Sequence, residues 1–140
     1  MKSVRALSIA ALCLGLALPA AVLARGKSQE IKNVTITLNT KASLSQIKKG
    51  VKMSVLNRKW TIANDKGNEF DASYTKPERR GDMTARIHVR YSAKEVKITY
   101  AGSENMGADG NSIHPWYNKW VTNLERDIPI YIEREVVASQ

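Results

Sequence analysis

The chain has 140 residues, with 22 Lys or Arg against 13 Asp or Glu for a net charge of +9, and a single cysteine. That length holds one domain, two at most, and excludes a multidomain enzyme. One cysteine makes neither an intrachain disulfide nor a cysteine zinc cluster, and 43% hydrophobic with 25% charged residues is the balance of a folded chain rather than a disordered one.

Met1 to Arg5 is a short basic start, and Ala6 to Leu23 is almost wholly apolar. Val22 and Ala24 then occupy the −3 and −1 positions of a cleavage point before Arg25. This is the pattern of a secretory signal peptide, spanning residues 1–24 and removed on export. The rival reading, a retained anchor, suits Pro19 and the small-residue end less well. Cys13 follows Leu12 inside the apolar run, so it is not placed for lipidation. Cleavage takes two cations, so +9 becomes +7 over 116 residues without cysteine. The expected location is the periplasm or the exterior of a Gram-negative cell, with no stable transmembrane anchor. A disulfide-free domain there depends on an ordinary core.

Residues 25–33 are polar and basic and are expected to form a flexible tail ahead of one domain over 34–137. Val34 to Leu38 alternates apolar residues with Thr, a strand signal. Leu44, Ile47, Val51 and Val55 then form one helical stripe, with Ser43 and Gln46 spaced as a capping box. Gly50 is expected to weaken that helix by roughly 1 kcal/mol relative to Ala. Period-two alternation predicts strands at Trp60–Ile62, Glu69–Tyr74, Ala85–Tyr91 and Val96–Tyr100, the last two as a hairpin. Residues 76–82 and 101–112 have loop composition. Pro115 suits the first turn of a helix carrying Trp116, Trp120 and Leu124. Pro129 is expected to stop or kink it, and residues 130–137 fit either more helix or an extended end.

Meandering strands bracketed by helices predict an α+β fold, an antiparallel sheet of four to five strands with two helices packed on one face. Trp60, Phe70, Ile87, Val89, Ile98 and Tyr100 should meet Leu44, Ile47, Val51, Trp120 and Leu124 in its core.

Two groups of residues are candidate sites. Arg86, His88, Arg90 and Lys97 alternate with core residues and so project from one sheet face, with Lys59 as a possible neighbour. Such a stripe would hold an anion: a phosphate, a lipid headgroup, a carboxylate or an acidic protein. The competing reading is a wet face decorated for solubility. His114, Tyr117 and Asn118 form the second group, at a Gly/Asn-rich loop and helix start over 102–118; the competing reading there is a capped, packed turn. Nucleic acid is disfavoured because the aromatics read as inward-facing, not interleaved with the cations. No nucleophile elbow, zinc-protease helix motif or Gly-rich phosphate loop occurs, and His88 and His114 are too few for a three-histidine metal site. No catalytic residue, metal or cofactor is therefore expected.

The run from Ile113-His114-Pro115-Trp116-Tyr117-Asn118 through Asp127-Ile128 resembles the C-terminal signature of a family of small exported proteins and lipoproteins of proteobacteria. Arg58 to Ile62 and Val96 to Tyr100 are similar to the rest of that pattern, so the likeness spans about Leu44 to Ile128. It implies an envelope location and a structural role for the His-Pro-x-Tyr-Asn segment, and it carries no catalytic residues. The expectation is a non-enzymatic periplasmic binding or accessory protein, recognising an anionic envelope component or an envelope protein through the basic sheet face. The alternative is an inhibitor or immunity-type protein acting through the 102–118 loop and helix start.

Overall fold

The computed structural model describes residues 27–140, so the signal-peptide segment and Cys13 lie outside the described residues. The elements are β1 (Gln29–Glu30), β2 (Val34–Thr37), α1 (Leu44–Asn57), β3 (Thr61–Ala63), β4 (Glu69–Lys76), β5 (Met83–Tyr91), β6 (Glu95–Glu104), β7 (Ser112–Ile113) and α2 (Pro115–Ala138). Five strands form an antiparallel sheet in the order β2-β6-β5-β4-β3, and β1 pairs with β7 as a separate two-stranded ribbon. This is the α+β architecture the alternation predicts.

The pleat explains the layers. Phe70, Ala72, Ile87, Val89, Val96 and Ile98 all point to one face and are buried, while Arg86, Arg90 and Lys97 between them are exposed. The helices cover that inner face with Ile47, Val51, Val55, Leu124 and Ile128. Each such fully buried side chain is worth roughly 1.5–3 kcal/mol. Leu44, expected in the core, is 51% exposed. It is the first residue of α1, a turn ahead of Ile47, where the stripe has run past the edge of the core.

Helix α1 begins on the expected capping box. The Gln46 amide N–H donates to Ser43 Oγ at 3.2 Å, and the Ser43 N–H donates back to Gln46 Oε1 at 2.8 Å. It ends on a two-bond C-terminal cap, with Trp60 N–H donating to the Val55 carbonyl and Lys59 N–H to the Leu56 carbonyl. Lys59 takes the left-handed position, φ 66°, that glycine usually fills. It is therefore a helix cap that turns Trp60 into the core, not a member of the sheet face.

Three boundaries differ from expectation, each for a physical reason. The polar segment 25–33 is not a loose tail where it is described. Gln29 and Glu30 pair with Ile113 and Ser112, and the Lys32 N–H donates to Asn118 Oδ1 at 3.0 Å. Strand β6 continues to Glu104 past a bulge at Arg86/Ile87, where the period-two signal slips by a residue. Helix α2 runs through Pro129 to Ala138. Pro129 lies on the solvent side, where water can replace the donor that its ring removes. Beyond it the helix is held by buried Ile132 and by antiparallel pairing with α1, through Lys49–Glu135 at 2.7 Å and Gln46–Ser139 at 2.6 Å. No helix among the described residues is long and apolar enough to cross a membrane.

Candidate functional site

Arg86, His88, Arg90 and Lys97 do share the outer face of β5 and β6, but register sets carboxylates beside them. Glu69 lies opposite Arg90 and Asp71 opposite His88. Arg90 donates to Glu69 at 2.9 and 3.1 Å, and Arg86 donates twice to Glu104 at 2.9 Å. His88 Nδ1 lies 2.8 Å from Asp71 Oδ1, and Lys97 Nζ lies 3.3 Å from Glu95. Three permanent cations thus meet four carboxylates. The hydrogen bonds from Arg90 and from His88 hold the Glu69 and Asp71 carboxyls below their usual range. Each cation on the face has a carboxylate partner, so it is not the cationic stripe expected from β5 and β6 alone.

The second group is consumed by the fold. His114 caps α2, its Nδ1 accepting the Trp116 N–H at 3.2 Å. Asn118 ties down the N-terminal segment: its Oδ1 accepts from Lys32 N–H, and its Nδ2 donates to the Glu30 carbonyl at 2.8 Å. Tyr117 is fully buried, edge-on to Tyr100 with ring centroids 5.3 Å apart. The three side chains do not converge on an open site.

The Tyr117 hydroxyl has no hydrogen-bond partner among the described residues, and burial pushes its pKa up. An unpaired buried hydroxyl costs about 1–3 kcal/mol, so removing it relieves a penalty. Tyr117→Phe is expected to leave thermal stability unchanged or raise it by up to about 1 kcal/mol. A melt showing a clear loss would mean that the hydroxyl is paired after all.

What the structure does gather is the tryptophans. Trp60 enters from the α1 cap, Tyr74 from the inner face of β4, and Trp116 and Trp120 from the first turns of α2. Ring centroids lie 5.7 Å apart for Trp60–Tyr74, 4.8 Å for Tyr74–Trp120 and 6.4 Å for Trp116–Trp120. These four rings, with Arg58, Lys119 and Asn123, line a pocket of about 220 Å³. Lys119 Nζ sits 4.7 Å and Lys76 Nζ 5.0 Å from the Trp116 centroid, close enough for cation–π attraction. Lys76 is also paired with Glu78, and Arg58 donates to Asp127 at 2.6 Å. Lys119 has no carboxylate within 4.0 Å among the described residues. No carboxylate lines the pocket.

Aromatics and cations are therefore interleaved here, contrary to the expectation from sequence. The signals were present: Lys76 continues the inward parity of Phe70, Ala72 and Tyr74, and Trp116, Lys119, Trp120 and Asn123 follow helical spacing on one face. Among the described residues no group of three or more His, Cys, Asp or Glu is placed to hold a metal ion. No protein-family model and no curated protein matches this chain.

Proposed function

We propose that this chain is a non-enzymatic binding or accessory protein of the bacterial envelope that recognises an anionic envelope component through the tryptophan–lysine pocket between β4 and α2. The observation that carries this reading is Lys119, a cation with no carboxylate partner in reach, poised over the half-buried Trp116 ring at a pocket walled by aromatics. The basic N-terminal start and apolar run support export. His114 is used as the cap of α2, its Nδ1 accepting the Trp116 N–H, which leaves it to the fold. The inhibitor reading loses ground because His114, Tyr117 and Asn118 are occupied within the fold.

Co-sedimentation of the purified protein with envelope fragments tests the assignment. Lys119→Glu is expected to raise the Kd read from the sedimentation isotherm about tenfold, the effect of losing roughly 1.4 kcal/mol. Arg86→Gln with Arg90→Gln is expected to leave it unchanged. The reverse result would return the site to the sheet face.

A further inference from the structure

We infer that the pocket takes one acidic sugar ring, a single residue of a carboxylate-bearing glycan; this rests on the proposed binding function and names its ligand class. Size comes first. A volume of about 220 Å³ is below the range of about 300–1,000 Å³ typical of drug-sized ligands and suits one ring. Stacking comes second. Trp60 and Trp120 are only 3% and 8% exposed, so among the tryptophans Trp116 alone keeps substantial surface open. A polynucleotide site presents successive stacking rings along a groove; this pocket presents one, on which the apolar face of a single sugar would stack by displacing a lysine ammonium that lies over the ring.

Charge narrows the class further. Arg58 shares Asp127 with Arg126 and Lys76 is held by Glu78, leaving Lys119 as the lining cation with no carboxylate partner among the described residues. One ammonium matches one carboxylate. Asn123 lies one turn beyond Lys119 and lines the same pocket. Its amide both donates and accepts, as sugar hydroxyls require and a purely aromatic acid does not. No carboxylate is in the lining, and the nearby Asp127 and Glu78 are paired with Arg58 and Lys76.

Tryptophan emission during titration reads the site directly. The probes are N-acetylmuramic acid and N-acetylglucosamine, similar rings with and without a carboxylate, and oligo(dT). The acidic sugar is expected to bind about tenfold more tightly than the neutral one. Lys119→Gln, a change at an exposed position, should abolish that preference while leaving the neutral sugar's affinity in place. Trp116→Ala should weaken both, with a thermal melt to establish that it folds, and Lys48→Gln should change neither. Equal affinity for the two sugars, a preference that survives Lys119→Gln, or tighter binding of oligo(dT) would overturn the assignment. Co-sedimentation with envelope fragments that persists while neither sugar binds overturns the sugar class alone. Loss of co-sedimentation as well overturns the underlying reading.

Discussion

Gly50→Ala is expected to destabilise the protein by about 2 kcal/mol, although the same change in an isolated helix would stabilise it by about 1 kcal/mol. A Cβ built at Gly50 would lie 2.6 Å from the Ile132 Cα and 2.7 Å from its backbone nitrogen. Those are backbone atoms of α2, so no rotamer change relieves the clash; the two helices must separate. They are tied on either side of that point, by Lys49–Glu135 and Gln46–Ser139 toward one end and Arg58–Asp127 toward the other. Overpacking of this kind costs about 1–3 kcal/mol, occasionally more, and it outweighs the gain in helix propensity. A thermal melt should show Tm lower by about 10 °C for a domain of this size. Adding Ile132→Ala removes the Cγ1 atom 2.9 Å away but not the backbone atoms, so it should not rescue the variant. A Tm that rises in Gly50→Ala would show that the helix pair is not held at this distance.

The same glycine marks where local reading ends. From sequence, Gly50 is a weak point in a helix; its reason lies 82 residues away at Ile132. The elements themselves were legible because their signals are local: alternation through Phe70–Tyr74, Ala85–Tyr91 and Val96–Tyr100, and the capping box at Ser43. β1 was not, because Gln29 and Glu30 carry no apolar pattern and are held by Ile113, Ser112 and Asn118. At the sheet face, Arg86, His88, Arg90 and Lys97 were placed on the correct side. Their neutralisation turns on Glu69 and Asp71, which the same period of two puts on the outer face of β4, and on the pairing of β4 with β5 that brings them into range. The tryptophan cluster escaped because burial and binding use the same residue types. Three elements must meet before Trp116 is seen to be the ring left partly open.

Asp127→Ala is expected to cost about 2–3 kcal/mol at neutral pH. Asp127 is 8% exposed and is the buried anchor for two guanidinium groups, accepting from Arg58 at 2.6 Å and from Arg126 at 3.2 Å. A hydrogen bond to a charged group contributes about 1.5–3 kcal/mol, and losing the carboxylate also leaves Arg58 without its counter-charge. Asp127→Asn keeps an acceptor oxygen and loses the charge, so its loss should be the smaller of the two. The pH dependence separates the charge from the contact. The Arg58 hydrogen bond is the main reason that the Asp127 carboxyl is held below its usual range, with Arg126 contributing. A folded-state pKa below the unfolded value means stabilisation that is fully present above the ordinary aspartate pKa of about 3.9 and is lost as pH falls through the lower, native-state value. Glu69, Asp71 and Asp65 are shifted the same way and share this acid limb, so the difference between wild type and Asp127→Asn isolates the one group. Urea denaturation at pH 7 and near pH 2 should show that difference shrinking at the acid end. A constant difference would place the effect in packing rather than charge. Because Arg58 also lines the aromatic pocket, Asp127→Asn, which frees that guanidinium of its counter-charge, should strengthen anion binding while destabilising the fold, whereas Lys119→Gln should weaken anion binding and cost no more than the roughly 0.5–1 kcal/mol of its cation–π contact.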